Sequence, residues 1–171
     1  MEGKYKPRSK CVAGRFKVYD PKKRCRARRI KGLKLELLIM DALKRMGLLR
    51  QFAYCPNGKV DWKWIVEGWE IECKNFEDTG KDGRLLGKAW MRDEVVSRFS
   101  ENAKRKVLVA TKKCWNEEAE AYLQENNVEV ILVGSVSRKR LYERAIEKFE
   151  AAFLDLVRKT ATEKVVVIEG D

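Results

Sequence analysis

An α/β fold is expected for this 171-residue chain, and three features predict it. One apolar stripe at helical spacing lies between Gly32 and Leu49. Short runs follow, from Gln51 to Asn75, in which apolar and polar residues alternate one by one, as in strands with unlike faces. Beyond Lys106, two nearly unbroken apolar runs flank an amphipathic segment, giving strand, helix, strand. The length suits one domain with an appendage and is ample for a sizeable core.

Residues 1–31 hold thirteen Lys/Arg against Glu2 and Asp20, which is eleven of the twelve net positive charges. Apart from a short strand expected at Arg15–Tyr19, this segment has few large apolar residues, so it is expected to be a loosely held basic arm. A helix over Gly32–Leu49 carries Leu35, Leu38, Ile39, Ala42, Leu43 and Met46 on one face, and Gly47 is its stop. Gln51–Cys55 reads as a strand, and Pro56-Asn57-Gly58 as a hairpin turn. Two further strands span Val60–Val66 and Trp69–Lys74 around a Glu67-Gly68 turn.

The polar run Phe76–Gly87 reads as a loop. Met91, Val95, Phe99 and Ala103 at four-residue steps predict a helix. Lys106–Thr111 and Val128–Val133 read as buried strands, separated by a helix over Asn116–Asn127 with Asn116 as cap. A long helix is expected over Arg138–Thr160 and a small terminal strand at Val165–Ile168. The resulting organisation is an arm (1–31), a core (32–134) and a capping or dimerising tail (135–171).

Chemistry concentrates in VDWKWIVEGWEIECKN, Val60–Asn75. Glu72 and Lys74 are two apart and so share one strand face, while Ile71 and Cys73 point the other way. Asp61 lies on the neighbouring strand across a tight turn, within reach of Glu72. Two carboxylates and an amine suit a divalent cation and an activated water. With charged residues at 37% of the chain, a D…E-x-K triplet also arises by chance, and Glu72 and Lys74 can equally form a solvent-facing ladder with Lys63 and Glu70.

These residues resemble the D-(x)n-(D/E)-x-K signature of the PD-(D/E)XK nuclease superfamily, with Asp61, Glu72 and Lys74 in its places. GLKLELLIMDALKRMG is similar to the first helix of Mrr-type restriction nucleases and archaeal Holliday-junction resolvases. There a glycine stands four residues before a glutamate that reaches the metal site, as Gly32 and Glu36 do here. Periodicity alone favours reading Glu36 as an ordinary helix-face glutamate paired with a nearby cation. The strand, helix, strand run resembles the second half of the Mrr-type domain, so the resemblance spans Gly32–Gly134.

The resemblance implies a restriction-endonuclease-like core, a mixed central sheet flanked by helices in the order αβββαβ plus αβ. It implies Mg²⁺ or Mn²⁺ held by Asp61, Glu72 and the Cys73 carbonyl, Lys74 orienting or deprotonating the attacking water, and a homodimer. Val60 replaces the family's frequent proline, and no catalytic glutamine follows Lys74.

Composition narrows the function further. With no histidine in the chain, serine-histidine, cysteine-histidine and two-histidine ribonuclease mechanisms are excluded. Five cysteines without a C-x-x-C pair argue against structural zinc and for reduced thiols in a cytoplasmic protein. No apolar run is long enough for a membrane span. The arm residues Lys22, Lys23, Arg24, Arg26, Arg28, Arg29 and Lys31 point first to nucleic acid through counterion release; the alternative is a solvated or membrane-surface arm, and the lack of an adjoining apolar anchor argues against the membrane version. Lys81, Arg84 and Lys88 read either as phosphate contacts or as a solvated loop. Trp62, Trp64 and Trp69 are expected between sheet and helix, with stacking against an unpaired base as the alternative.

The expected activity is metal-dependent DNA endonuclease cleavage of duplex or branched substrates. The alternative is a DNA-binding protein of the same fold acting in recombination or replication, and an RNA nuclease is a third.

Overall fold

The computed structural model describes residues 21–55 and 58–168, with side chains from 32 to 162 within them. The elements are α1 (Pro21–Arg45), β1 (Phe52–Tyr54), β2 (Trp62–Trp64), β3 (Trp69–Lys74), α2 (Lys88–Glu94), β4 (Arg105–Ala110), α3 (Glu117–Glu125), β5 (Val128–Leu132) and α4 (Lys139–Ile168). The strands form one sheet in the order β1-β2-β3-β4-β5. β1, β2 and β3 pair antiparallel, and β3, β4 and β5 pair parallel. The protein is therefore an α/β fold with a five-stranded mixed sheet flanked by helices. No helix among the described residues is long and apolar enough to cross a membrane.

The apolar stripe of α1 is the reason this helix docks. Leu35, Leu38, Ile39, Ala42 and Leu43 are all fully buried. With α4 they cover the sheet face formed by Trp62, Trp64, Trp69, Ile71, Val107 and Val109, so the three tryptophans lie between sheet and helices as expected. Met91, Val95, Ala119 and Leu123 cover the opposite face with Leu108 and Ala110. Because β4 is buried on both sides, its sequence is apolar without alternation. Gly47 ends α1 at φ 72°, a conformation that a side chain disfavours. The Asn116 side chain accepts from the Ala119 N–H at 2.9 Å, the expected cap of α3.

Phe153 of α4 anchors the first layer. Its ring lies 5.4 Å from Phe149, 5.5 Å from Trp64 and 5.7 Å from Trp69. Phe153→Ala is expected to destabilise the protein by about 3–5 kcal/mol in urea unfolding, the usual range for an emptied aromatic site. A loss below about 1 kcal/mol would mean that α4 does not hold this layer together.

Several expectations are corrected. The helix expected from Gly32 starts eleven residues earlier, at Pro21, so the backbone of 21–31 is the first part of α1. Proline suits a first helical turn, Lys, Arg and Ala are good helix formers, and one interior glycine costs only about 1 kcal/mol. The terminal strand expected at Val165–Ile168 is the last turn of α4. No glycine or proline interrupts that helix, and continuity outweighs the β preference of valine.

The helix expected through Ala103 stops at Glu94, and a short 3-10 turn follows at Val96–Arg98. There the Glu70 carboxylate takes the N–H and hydroxyl of Ser100, at 2.7 and 2.9 Å. Val60 joins the opposite core layer from Trp62 and Trp64, because β2 begins only at Trp62. β5 is an edge strand whose Val130 and Leu132 are exposed. The strand expected at Arg15–Tyr19 and the Pro56-Asn57 part of the hairpin turn lie outside the described residues.

Candidate functional site

The site forms where β2 ends and β3 runs on. Trp62 pairs with Ile71 and Lys63 with Glu70, so the residue before Trp62 arrives beside Glu72. Asp61 is fixed there by three bonds. Its N–H donates to the Ile71 carbonyl at 3.1 Å, its carbonyl accepts from Cys55 N–H at 2.8 Å, and its Oδ2 accepts from the Cys73 N–H at 2.6 Å. The N–H and C=O of a strand residue leave the same edge. The Cys73 carbonyl therefore points to the Asp61 side, while the Lys74 carbonyl points the other way and accepts from Thr111 N–H.

Glu70, Glu72 and Lys74 share one face by strand alternation. Lys63 pairs with Glu70 at 2.8 Å and Lys74 Nζ with Glu72 Oε1 at 2.7 Å. The ladder is not solvent-facing, because Glu70 and Glu72 are each only 4% exposed. Their environments differ. Burial pushes the Glu70 carboxyl up, but Lys63 and the two Ser100 donors outweigh it and hold it below its ordinary value. Glu72 has fewer partners, and its Oε2 is buried with no hydrogen-bond partner. Burial, reinforced by Asp61 and only partly offset by Lys74, pushes this carboxyl up to about 7.

Asp61 is also raised, by burial first and then by the charge of Glu36, against the Cys73 amide and Lys74. Burial and the carboxylates of Asp61, Glu72 and Glu36 push the Cys73 thiol well above its ordinary value. Glu36 thus approaches from α1 closely enough for its charge to act on Asp61 and Cys73. The Tyr54 hydroxyl donates to its Oε2. This bond and burial push the phenol up to about 12, so it stays a donor across the neutral range.

Asp61, Glu72 and Lys74 are therefore brought together, with Glu36 alongside. Among the described residues, no group of three or more His, Cys, Asp or Glu side chains forms a cation cage. The donor set consists of two carboxylates and the Cys73 carbonyl, all hard oxygens, with one carboxylate oxygen left unpartnered. That set fits a magnesium-like ion, which keeps several waters and binds through one or two carboxylates.

The side chains of Lys22, Lys23, Arg24, Arg26, Arg28, Arg29 and Lys31 lie outside the described residues, although their backbone forms the first turns of α1. In the loop after the site, Lys81 pairs with Asp78 and Arg84 with Asp82, while Lys88 lies over the Tyr122 ring. Tyr54 and Ser100 are the residues that sequence reasoning missed. Both act across elements, Tyr54 on α1 and Ser100 on β3, and no local spacing marks them.

In comparisons with known proteins, no family model, no curated protein and no solved structure matches this chain.

Proposed function

We propose that this protein is a divalent-metal-dependent DNA endonuclease of the PD-(D/E)XK type, with a restriction-endonuclease-like core. The observation that carries the reading is Glu72: a buried carboxylate with one oxygen on Lys74 and the other on nothing, beside Asp61. A carboxylate in that state is destabilising unless a cation or a proton completes it. The helix, three-strand meander, helix, strand order supports the same reading.

Asp61, Glu72 and the Cys73 carbonyl are the residues that would hold Mg²⁺ or Mn²⁺. When bound, such an ion supplies Lewis-acid stabilisation of charge growing on the phosphate. Lys74, held by Glu72, is the group that orients the attacking water and assists its deprotonation. The Cys73 amide keeps Asp61 turned toward Glu72. The basic turns at the start of α1 would bind the phosphate backbone, and cutting both strands would take two such chains.

Supercoiled plasmid, linear duplex and a synthetic four-way junction, each incubated with Mg²⁺, Mn²⁺ or EDTA beside a Glu72→Ala variant, test the proposal. Nicking that needs the ion and disappears in the variant is expected. Mobility shifts without ion-dependent cleavage of any substrate would replace the enzyme by a DNA-binding protein. Cleavage confined to parallel RNA substrates would change the substrate class.

A further inference from the structure

Tyr54, the last residue of β1, stands opposite Trp62 in the antiparallel pair, with its ring 4.8 Å from the indole. The next residue, Cys55, donates its N–H to the Asp61 carbonyl. The Tyr54 ring is thus held by the same strand pair that fixes Asp61, and its hydroxyl reaches across to Glu36 on α1.

Glu36 needs such a tether. Its charge acts unfavourably on the Asp61 carboxylate, and like charges repel more strongly where burial excludes water. A glutamate also has three rotatable bonds, so an unrestrained one gains entropy by swinging into solvent. One face of the aromatic ring is already packed on the Trp62 indole, so its hydroxyl restrains the carboxylate with less further loss of freedom than a flexible side chain would.

We propose that Tyr54 is a positioning residue whose hydroxyl holds Glu36 beside Asp61 against carboxylate repulsion, and so sets the affinity of the site for a divalent cation. The proposal rests on the metal-dependent reading above. It extends that reading to a residue on another strand with no place in the D…E-x-K pattern.

Tyr54→Phe isolates the hydroxyl, since the ring and its tilted packing on Trp62 remain. Calorimetric titration with Mn²⁺, without DNA, should show affinity reduced by about tenfold, the low end of what losing a partner outside the ligand set costs. In cleavage, the half-saturating Mg²⁺ concentration should rise more than turnover at saturating Mg²⁺ falls. The urea midpoint of the metal-free protein should stay near wild type, which separates positioning from a structural tie between α1 and β1. Glu36→Gln should weaken Mn²⁺ binding similarly, and adding Tyr54→Phe to it should weaken it no further.

Wild-type Mn²⁺ affinity in Tyr54→Phe, or additive losses in the double variant, would overturn the role of Tyr54 alone. If the wild-type protein binds Mn²⁺ but cuts nothing, the nuclease reading fails and the calorimetry still decides on Tyr54. If the wild-type protein binds no Mn²⁺, both fall together.

Discussion

Glu72→Gln is expected to reduce cleavage by about 10²–10³-fold or more and at the same time to stabilise the metal-free protein at pH 8 by about 1–2 kcal/mol. The two effects share one cause. Burial raises the Glu72 carboxyl from 4.5 to about 7, so the folded state prefers the protonated form. Below the unfolded value both states carry the proton and the group does not oppose folding. As the pH climbs toward 7 the unfolded chain ionises first, and the fold loses roughly 3 kcal/mol that it does not regain at higher pH.

Glutamine cannot ionise, and its carbonyl oxygen still accepts from Lys74. Its amide lacks a partner where Oε2 stood, which returns part of the gain. Urea unfolding of both proteins without divalent ions, from pH 4.5 to pH 8, measures this. The advantage of the variant should grow with pH and vanish at the acidic end. Millimolar Mg²⁺ should then stabilise the wild type and leave the variant unmoved, because only the state that binds the ion gains from it. Parallel curves across the whole range would mean that Glu72 is not held as an unsatisfied buried carboxylate.

The second large effect concerns the start of α1. Replacing Lys22, Lys23, Arg24, Arg26, Arg28 and Arg29 by glutamine should weaken duplex binding and make log K against log salt shallower by up to about 0.9 for each phosphate that is no longer neutralised. Glutamine keeps helix propensity, so the backbone of α1 survives the change. Cutting the chain at residue 28 would instead truncate a helix that begins at Pro21. Arg29 and Glu36 lie on this one helix, about 10 Å apart along its axis by helical rise. Binding measured with Ca²⁺ in place of Mg²⁺, between about 50 and 200 mM salt, reads the slope without turnover. An unaltered slope would assign the phosphate-binding role elsewhere.

How far the sequence was readable varies with the range of the interaction. The stripe from Leu35 to Leu43 is one face of a helix and is fully buried. The alternation of Trp69–Lys74 put Glu72 and Lys74 on one side, where they pair. Both are consequences of backbone period, which acts over a few residues and needs no partner. Element ends were less readable. The start of α1, the stop at Glu94 and the helical Val165–Ile168 depend on continuity or on a distant acceptor such as Glu70, and local preference does not register these.

Periodicity and charge, which are written into neighbouring residues, were enough for the α/β class, the order of the main elements and the shared face of Glu72 and Lys74. Three things had to wait for the folded chain: the register that sets Asp61 beside Glu72, the burial that leaves one Glu72 oxygen without a partner, and the joining of Tyr54 to Glu36. Those depend on how separate strands and a helix meet, and the energy of desolvation that distinguishes a buried carboxylate from a surface one exists only once they have met.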